Sequence, residues 1–331
     1  MKHFLIFTAV LGLVYAGTLL FWKNRPDDDI SSPFSRAHTQ MLKGVGLACI
    51  LWGHEGLAYN FSGIQWIAAV GVSVFLLLSG YGIAASWQRG GLERFWSKRL
   101  RKVLIPYLAV FGILSVLQGD PLRTTLEYLS VVKGHWYIAY LFGCYLLFWF
   151  AARLSGGEER RLIRLLFVLF ALWLVIDTLW FVPDKVPALR ARQMFAFPSG
   201  VLMALRRKDI LKRLDSGLWA LLLPLGLAVT ALSQLSVIKN APVPVGNALS
   251  LLTVFPLALF ILWLSVKLPK TFDSALLSWL GEISYEAFLL QHFLFRMIRR
   301  GVPWTLYAAL AVVCLLAWVL HEGIKRIQFL Q

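Results

Sequence analysis

Acidic residues are scarce in this chain. Its 331 residues include 17 Asp and Glu against 33 Lys and Arg, a net charge of +16, and charged residues of both signs make up 15%. A soluble domain averages about a quarter charged residues, so an ordinary water-solvated surface is excluded. Cysteine is rarer still. Cys49, Cys144 and Cys314 all fall in predicted helices, and neither a CxxC pair nor a Cys/His ligand spacing occurs. A disulfide framework and a zinc site are therefore not indicated, and no metal is expected. No internal repeat and no low-complexity tail interrupts the pattern. What abounds is apolar: 59% of the residues are hydrophobic and the mean hydropathy is +0.69.

The surplus of cations has two readings. In a soluble protein it would suggest nucleic acid. Here the cations cluster in connectors between long apolar runs, which is the positive-inside pattern of a membrane protein. Lipid is thus an expected partner, and nucleic acid is not. Eleven apolar segments are predicted as helices: 4–22, 44–60, 65–86, 103–118, 136–152, 162–182, 193–205, 217–236, 247–266, 276–295 and 303–322. A span needs about 20 apolar residues, so 103–118 and 193–205 are short. The expected fold class is all-α, a polytopic membrane helical bundle of about 11 transmembrane helices. Alternate connectors collect 23 of the 33 cations on one side. That side is cytoplasmic by the positive-inside rule. The N-terminus is then outside and the C-terminus inside, in a multi-pass cell or inner membrane protein. The first segment starts basic, like a signal peptide. Its apolar run continues past Ala16-Gly17 to Trp22 with no small-x-small cleavage site, so an uncleaved helix is expected. Residues 1–37 read as this helix plus a cytoplasmic linker, and 38–331 as the main membrane domain.

The chemistry concentrates between Lys43 and Tyr107. Lys43 and His54 are eleven residues apart, about three full helical turns, so they share a face with roughly 16 Å between them along the axis. With Lys43 at the cytoplasmic edge, His54 lies near the middle of a hydrocarbon layer about 30 Å thick. Ionisable groups are costly there and mark functional candidates. Histidine suits a proton acceptor because its ordinary pKa lies near neutrality. The bland alternative is a histidine bonded to a neighbour, packing two helices together. In the next helix Gly71, Ser79, Gly80 and Gly82 are small residues that permit close helix approach. A nucleophilic Ser79 would need an activating base beside it. A dense basic cluster follows, with Arg94, Lys98, Arg99, Arg101 and Lys102. Such clusters usually anchor helices and meet anionic lipid. They also suit the phosphates of a nucleotide-containing donor.

With those residues in view, the chain resembles the membrane-bound acyltransferase-3 family. Lys43 and His54 match a basic residue, ten-residue gap, histidine motif. Phe75, Ser79, Gly80 and Tyr81 are similar to its F-x-x-x-S-G-[FY] segment. Arg99 and Lys102 before Pro106-Tyr107 are similar to its R-x-x-R pair. His135-Trp136-Tyr137, Gly200, and Leu280-Gly281 with Ser284-Tyr285 and His292 resemble later segments. The resemblance covers about residues 38–326. It implies a ten-helix core that takes an acyl group, usually acetyl, from cytoplasmic acyl-CoA to a hydroxyl of an extracytoplasmic or lipid-linked glycan. Acetyl-CoA would be a donor substrate, with no permanently bound cofactor. The catalytic residues implied are His54 and Lys43, with Lys43, Arg99 and Lys102 holding the donor; Arg101 joins them as a member of the same basic cluster. Lysine stands for the commoner arginine at 43 and 102, which keeps the charge but loses the bidentate fork. The helix at 4–22 lies outside the ten-helix pattern.

Tyr285 and His292 are seven apart and share a face. With His135 they fall toward the outer side, where an acceptor sugar would sit; His135 equally suits an interfacial belt beside Trp136 and Tyr137. Glu286 in an apolar helix wants a partner. Glu55 points about 100° from His54 on an ideal helix. His321 and Glu322 are expected at the interface, and His3 and His38 on the surface. A transporter or flippase for a lipid-linked or polysaccharide intermediate also fits intramembrane ionisable groups, although its paired broken repeats are not visible. A sensor or structural subunit would tolerate replacement of His54, Lys43 and Arg99.

Overall fold

A computed structural model describes residues 2–22, 32–118, 136–180, 190–239 and 241–329. The described residues are helical, with no strand among them. The longer helices are α1 (Lys2–Phe21), α2 (Arg36–Ala58), α3 (Gln65–Gly90), α4 (Phe95–Arg99), α5 (Ile105–Gln118), α6 (Trp136–Leu154), α7 (Glu159–Trp180) and α8 (Ala196–Leu205). They continue with α9 (Arg207–Leu214), α10 (Leu222–Leu232), α11 (Val243–Ser250), α12 (Val254–Lys267), α13 (Ala275–Glu282), α14 (Ser284–Leu294) and α15 (Trp304–Phe329). Every predicted apolar segment contains a helix. Six of the described stretches are long and apolar enough to cross a membrane, seven if Arg207–Leu214 and Gly217–Leu232, bent by 76°, count as one. The remaining segments are shorter or, like α2, carry ionisable residues.

The chain forms two compact units. One comprises Met1–Leu78, Lys208–Leu232 and Leu252–Gln331, the other Ser79–Arg207 and Ser233–Leu251. In the first, α2 is the central helix. It buries Met41, Leu42, Leu47, Ile50 and Leu51 along with Gly44, Gly46, Gly53 and Gly56. Its glycines set the packing. A Cβ on Gly44 would collide with the Leu277 carbonyl of α13, and one on Gly281 would collide with the Gln40 carbonyl of α2. Gly71 of α3 likewise faces the Gly46 carbonyl. Small residues at these crossings let backbones meet, which is how helices associate where solvent supplies no hydrophobic drive.

Segment 276–295 is not one helix, as expected, but two. The chain breaks at Ile283, between α13 and α14. Ser284 explains the break. Its hydroxyl donates to the Gly281 carbonyl at 2.9 Å, supplying a donor at the interruption. The break puts Glu282 and Glu286 on separate helices. Glu286 finds its partner in His321 of α15, with Nδ1 to Oε1 at 3.2 Å, so His321 packs against a second helix as well as lying near the end of its own.

The helix outside the expected ten-helix pattern is docked on this unit. Phe4 and Phe7 of α1 are buried, and Phe4 stacks on Trp52 with centroids 6.3 Å apart. Trp52 Nε1–H donates to Thr8 Oγ1 at 2.9 Å, and Thr18 and Ser274 hydroxyls meet at 2.8 Å. The expectation of an exposed His38 is overturned: it is 1% exposed. Its Nδ1 accepts from the Phe34 N–H at 3.2 Å, and its Nε2–H donates to Ser265 Oγ at 3.1 Å. Both ring nitrogens are thereby satisfied, which makes burial of the imidazole tolerable. His3 is exposed, as expected.

In the second unit, Gly80 allows the Phe197 carbonyl of α8 to approach, where a Cβ would collide. Asp177, 1% exposed, accepts Arg190 Nε–H at 2.7 Å and a terminal N–H at 3.0 Å. Removing one partner of a buried pair strands the other. Asp177→Ala is therefore expected to lower stability by about 3 kcal/mol. Thermal unfolding in detergent, with activity measured at low temperature, checks it; an unchanged melting temperature would contradict the assignment.

Candidate active site

The first unit gathers several of the sequence-predicted residues. His54 lies on α2, about five turns in from Arg36, and is half-buried. Its Nδ1 is 3.0 Å from Oε1 of Gln291 on α14. An amide oxygen only accepts, so in this arrangement Nδ1 carries the proton and Nε2 keeps its lone pair. Gln291 is fully buried, and its own Nε2 has no hydrogen-bond partner in the structure. The His292 ring lies beside His54, with centroids 5.2 Å apart and planes tilted by 36°. His292 is exposed, while Tyr285 and Lys43 are half-buried. Phe75 ties the two site helices together. Its ring lies against Gly46 of α2 at 3.0 Å from a Cβ built there, and edge-on to Phe288 of α14 at 6.3 Å.

Sequence reasoning missed Gln291. The signal was present as a polar side chain inside an apolar helix, one residue ahead of His292. Only the crossing of α2 and α14, however, pairs residues 237 positions apart. Glu55 is fully buried, and neither carboxyl oxygen has a hydrogen-bond partner in the structure. It makes no bond to His54, in keeping with its helical phase.

The second unit holds the predicted donor residues. Arg99 closes α4 and is half-buried, with its guanidinium carbon 5.5 Å from the Phe95 ring centroid and 5.8 Å from that of Tyr145. Burial pulls the Arg99 guanidinium below its ordinary pKa, and the neighbouring Tyr145 opposes that shift. Arg101 and Lys102 are exposed on a π-helical turn, Leu100–Leu104. Such turns recur at functional sites because they displace side chains from regular helical phase. Pro106 directly follows this turn in a helix that runs on without a loop from α4, so its missing N–H leaves one helical hydrogen bond unmade there. Ser79 Oγ lies 3.2 Å from the Tyr145 hydroxyl. Its neighbour is thus a phenol, not an imidazole or carboxylate, so the serine reads as packing. His135 lies outside the described residues. Among the described residues, no cluster of three or more His, Cys, Asp or Glu is arranged for a metal ion.

A family model described as an acyltransferase domain matches residues 40–322. The chain belongs to the acyltransferase-3 family. No curated protein and no solved structure matches it. Membership makes the protein an acyltransferase, and with its apolar helices a multi-pass membrane protein. The match begins beyond α1, so the helix docked against Trp52 lies outside the family's common core.

Proposed function

We propose that this acyltransferase moves an acetyl group from cytoplasmic acyl-CoA to a hydroxyl of an extracytoplasmic or lipid-linked glycan. The observation that carries the reading is the His54–Gln291 hydrogen bond, 3.0 Å long. It leaves Nε2 as a basic nitrogen inside an apolar unit, a general base in the form the reaction needs. In this mechanism Nε2 takes the acceptor's hydroxyl proton as that oxygen attacks the thioester carbonyl. The tetrahedral intermediate collapses by breaking the carbon–sulfur bond. The imidazolium returns its proton to the departing thiolate, giving the ester, CoA thiol and neutral His54.

Lys43 would sit toward the donor and polarise the carbonyl. Arg99, Arg101 and Lys102 would hold the phosphates of CoA, which charge-assisted hydrogen bonds favour. Tyr285, His292 and His135 would contact the acceptor; the exposure of His292 beside His54 supports that role. The orientation follows the charge count, with the N-terminus outside and the C-terminus in the cytoplasm.

The test supplies labelled acetyl-CoA and a polysaccharide acceptor to proteoliposomes. Covalent label on the glycan is expected. Arg99→Ala should raise the KM for acetyl-CoA about tenfold, the worth of one charge-assisted contact, with a smaller effect on kcat. Vectorial movement of a glycan without covalent label would instead favour a flippase.

A further inference from the structure

The turn ahead of α8 holds a charge that the described residues do not answer. Residues 190–194 are closed by the Gln193 N–H on the Arg190 carbonyl at 3.0 Å and the Met194 N–H on the Ala191 carbonyl at 3.1 Å. Four of the five side chains are anchored. Arg190 is held by Asp177. Ala191, Gln193 and Met194 are buried, and the Tyr140 hydroxyl donates to the Met194 sulfur at 3.9 Å. Just beyond, Phe195 stacks on Phe167 at 6.1 Å.

Arg192 is the fifth. It is half-buried, and its Nε is closed off from solvent with no acceptor. No carboxylate among the described residues pairs with it. Burial pulls the guanidinium below its ordinary pKa with no neighbouring charge to offset it, yet an arginine stays ionised in proteins. The neighbouring Arg190–Asp177 pair, with contacts of 2.7 and 3.0 Å, is what a satisfied guanidinium looks like in this unit. A half-buried cation with one N–H closed off from solvent and no acceptor for it carries a desolvation cost. A rigid turn that presents one without a partner is preorganised to receive an anion.

We propose that Arg192 binds a substrate oxyanion, a phosphate or a carboxylate. Two sources share that chemistry: the phosphates of the acyl donor, and an acidic group on the acceptor, either a sugar carboxylate or the phosphate of a lipid-linked saccharide. The charge count puts Arg192 on the side opposite the Arg99 cluster, which favours the acceptor. The choice of source rests on the transfer reading above; the anion site itself does not.

The experiment uses the full chain in nanodiscs of neutral phosphatidylcholine. Sodium pyrophosphate is titrated at constant ionic strength, and the melting temperature is followed for wild type, Arg99→Gln and the Arg99→Gln/Arg192→Gln double variant. With the donor cluster weakened by Arg99→Gln, pyrophosphate should still stabilise that variant, and it should bind the double variant about tenfold more weakly, the factor expected for one charge-assisted contact. A separate titration with CoA identifies the source. An unchanged CoA response in Arg192→Gln assigns the site to the acceptor, and a weakened one assigns it to the donor. Pyrophosphate binding that is absent in wild type, that is lost in Arg99→Gln, or that is equal in Arg99→Gln and the double variant overturns the proposal. A second measurement needs no variant. Phenylglyoxal labelling of wild type, read by peptide mass spectrometry, should be slowed at Arg192 by pyrophosphate; equal labelling with and without it overturns the proposal even if Arg192→Gln does not fold. Neither readout requires acyl transfer, so a protein that binds pyrophosphate here and fails the labelled-acetyl assay would sink the transfer reading alone.

Discussion

His54→Ala is expected to lower acetyl transfer by about 10²–10⁴-fold, the usual contribution of a positioned general base. The histidine sits on the central helix of its unit, half-buried, with the His292 ring beside it. Its Nδ1 is committed to Gln291 Oε1 at 3.0 Å, so the free nitrogen is the basic one. Alanine also leaves the buried Gln291 oxygen without its donor, at a cost of about 1–3 kcal/mol. His54→Gln separates the two effects, since it keeps a hydrogen-bonding side chain while removing the base. Both variants should fold in detergent and bind acetyl-CoA, and both should fail to transfer label. Gln291→Leu should keep the base but release its tautomer, reducing kcat about tenfold with little change in the KM for acetyl-CoA. A purified His54→Gln protein transferring acetyl at the wild-type rate would end the general-base mechanism.

The second large effect is expected at a position far from any proton. Gly281→Leu should destabilise the protein by about 3 kcal/mol or more, the upper range for overpacking a filled site. A Cβ at 281 would overlap the Gln40 carbonyl, and Gly44, which meets Leu277 on the same pair of helices, gives α2 no room to retreat. The first methyl group does most of the damage, because it meets backbone and not a side chain that can rotate away. Gly281→Ala should therefore already lower the melting temperature clearly. Gly217, which has open space around its Cβ position, supplies the control: Gly217→Ala should be close to neutral. Equal melting temperatures for Gly281→Ala and Gly217→Ala would show that the two helices are not in backbone contact. Because α2 carries His54 and the break after α13 leads into α14 with Gln291, loosening this crossing should cost activity as well as stability.

The motif residues illustrate how one sequence pattern carries several physical jobs. In Leu280-Gly281-x-x-Ser284-Tyr285, the glycine admits the α2 backbone and the serine hydroxyl supports the helix break, 2.9 Å from the Gly281 carbonyl. In Ser79-Gly80, the serine meets the Tyr145 hydroxyl at 3.2 Å while the glycine admits α8. These residues build the scaffold on which the polar groups are held.

The sequence by itself determined the helical class, the membrane setting, the family, and the placing of Lys43 and His54 on one helix three turns apart. Those are local properties: hydropathy over a window, charge in the connectors, and a 3.6-residue period. It also flagged Glu286 as a residue in need of a partner. Tertiary structure alone chose the partners. Gln291 for His54, His321 for Glu286, Ser265 for His38, and Thr8 for Trp52 are all contacts between separate helices. The break at Ile283 and the inward turn of Arg99 were likewise invisible in advance. The physical reason is that these helices are apolar nearly all round. In a water-soluble protein an amphipathic stripe announces which face is buried. In hydrocarbon, a face against lipid and a face against protein look alike in sequence, and the choice between them is made by small residues that let two particular backbones touch.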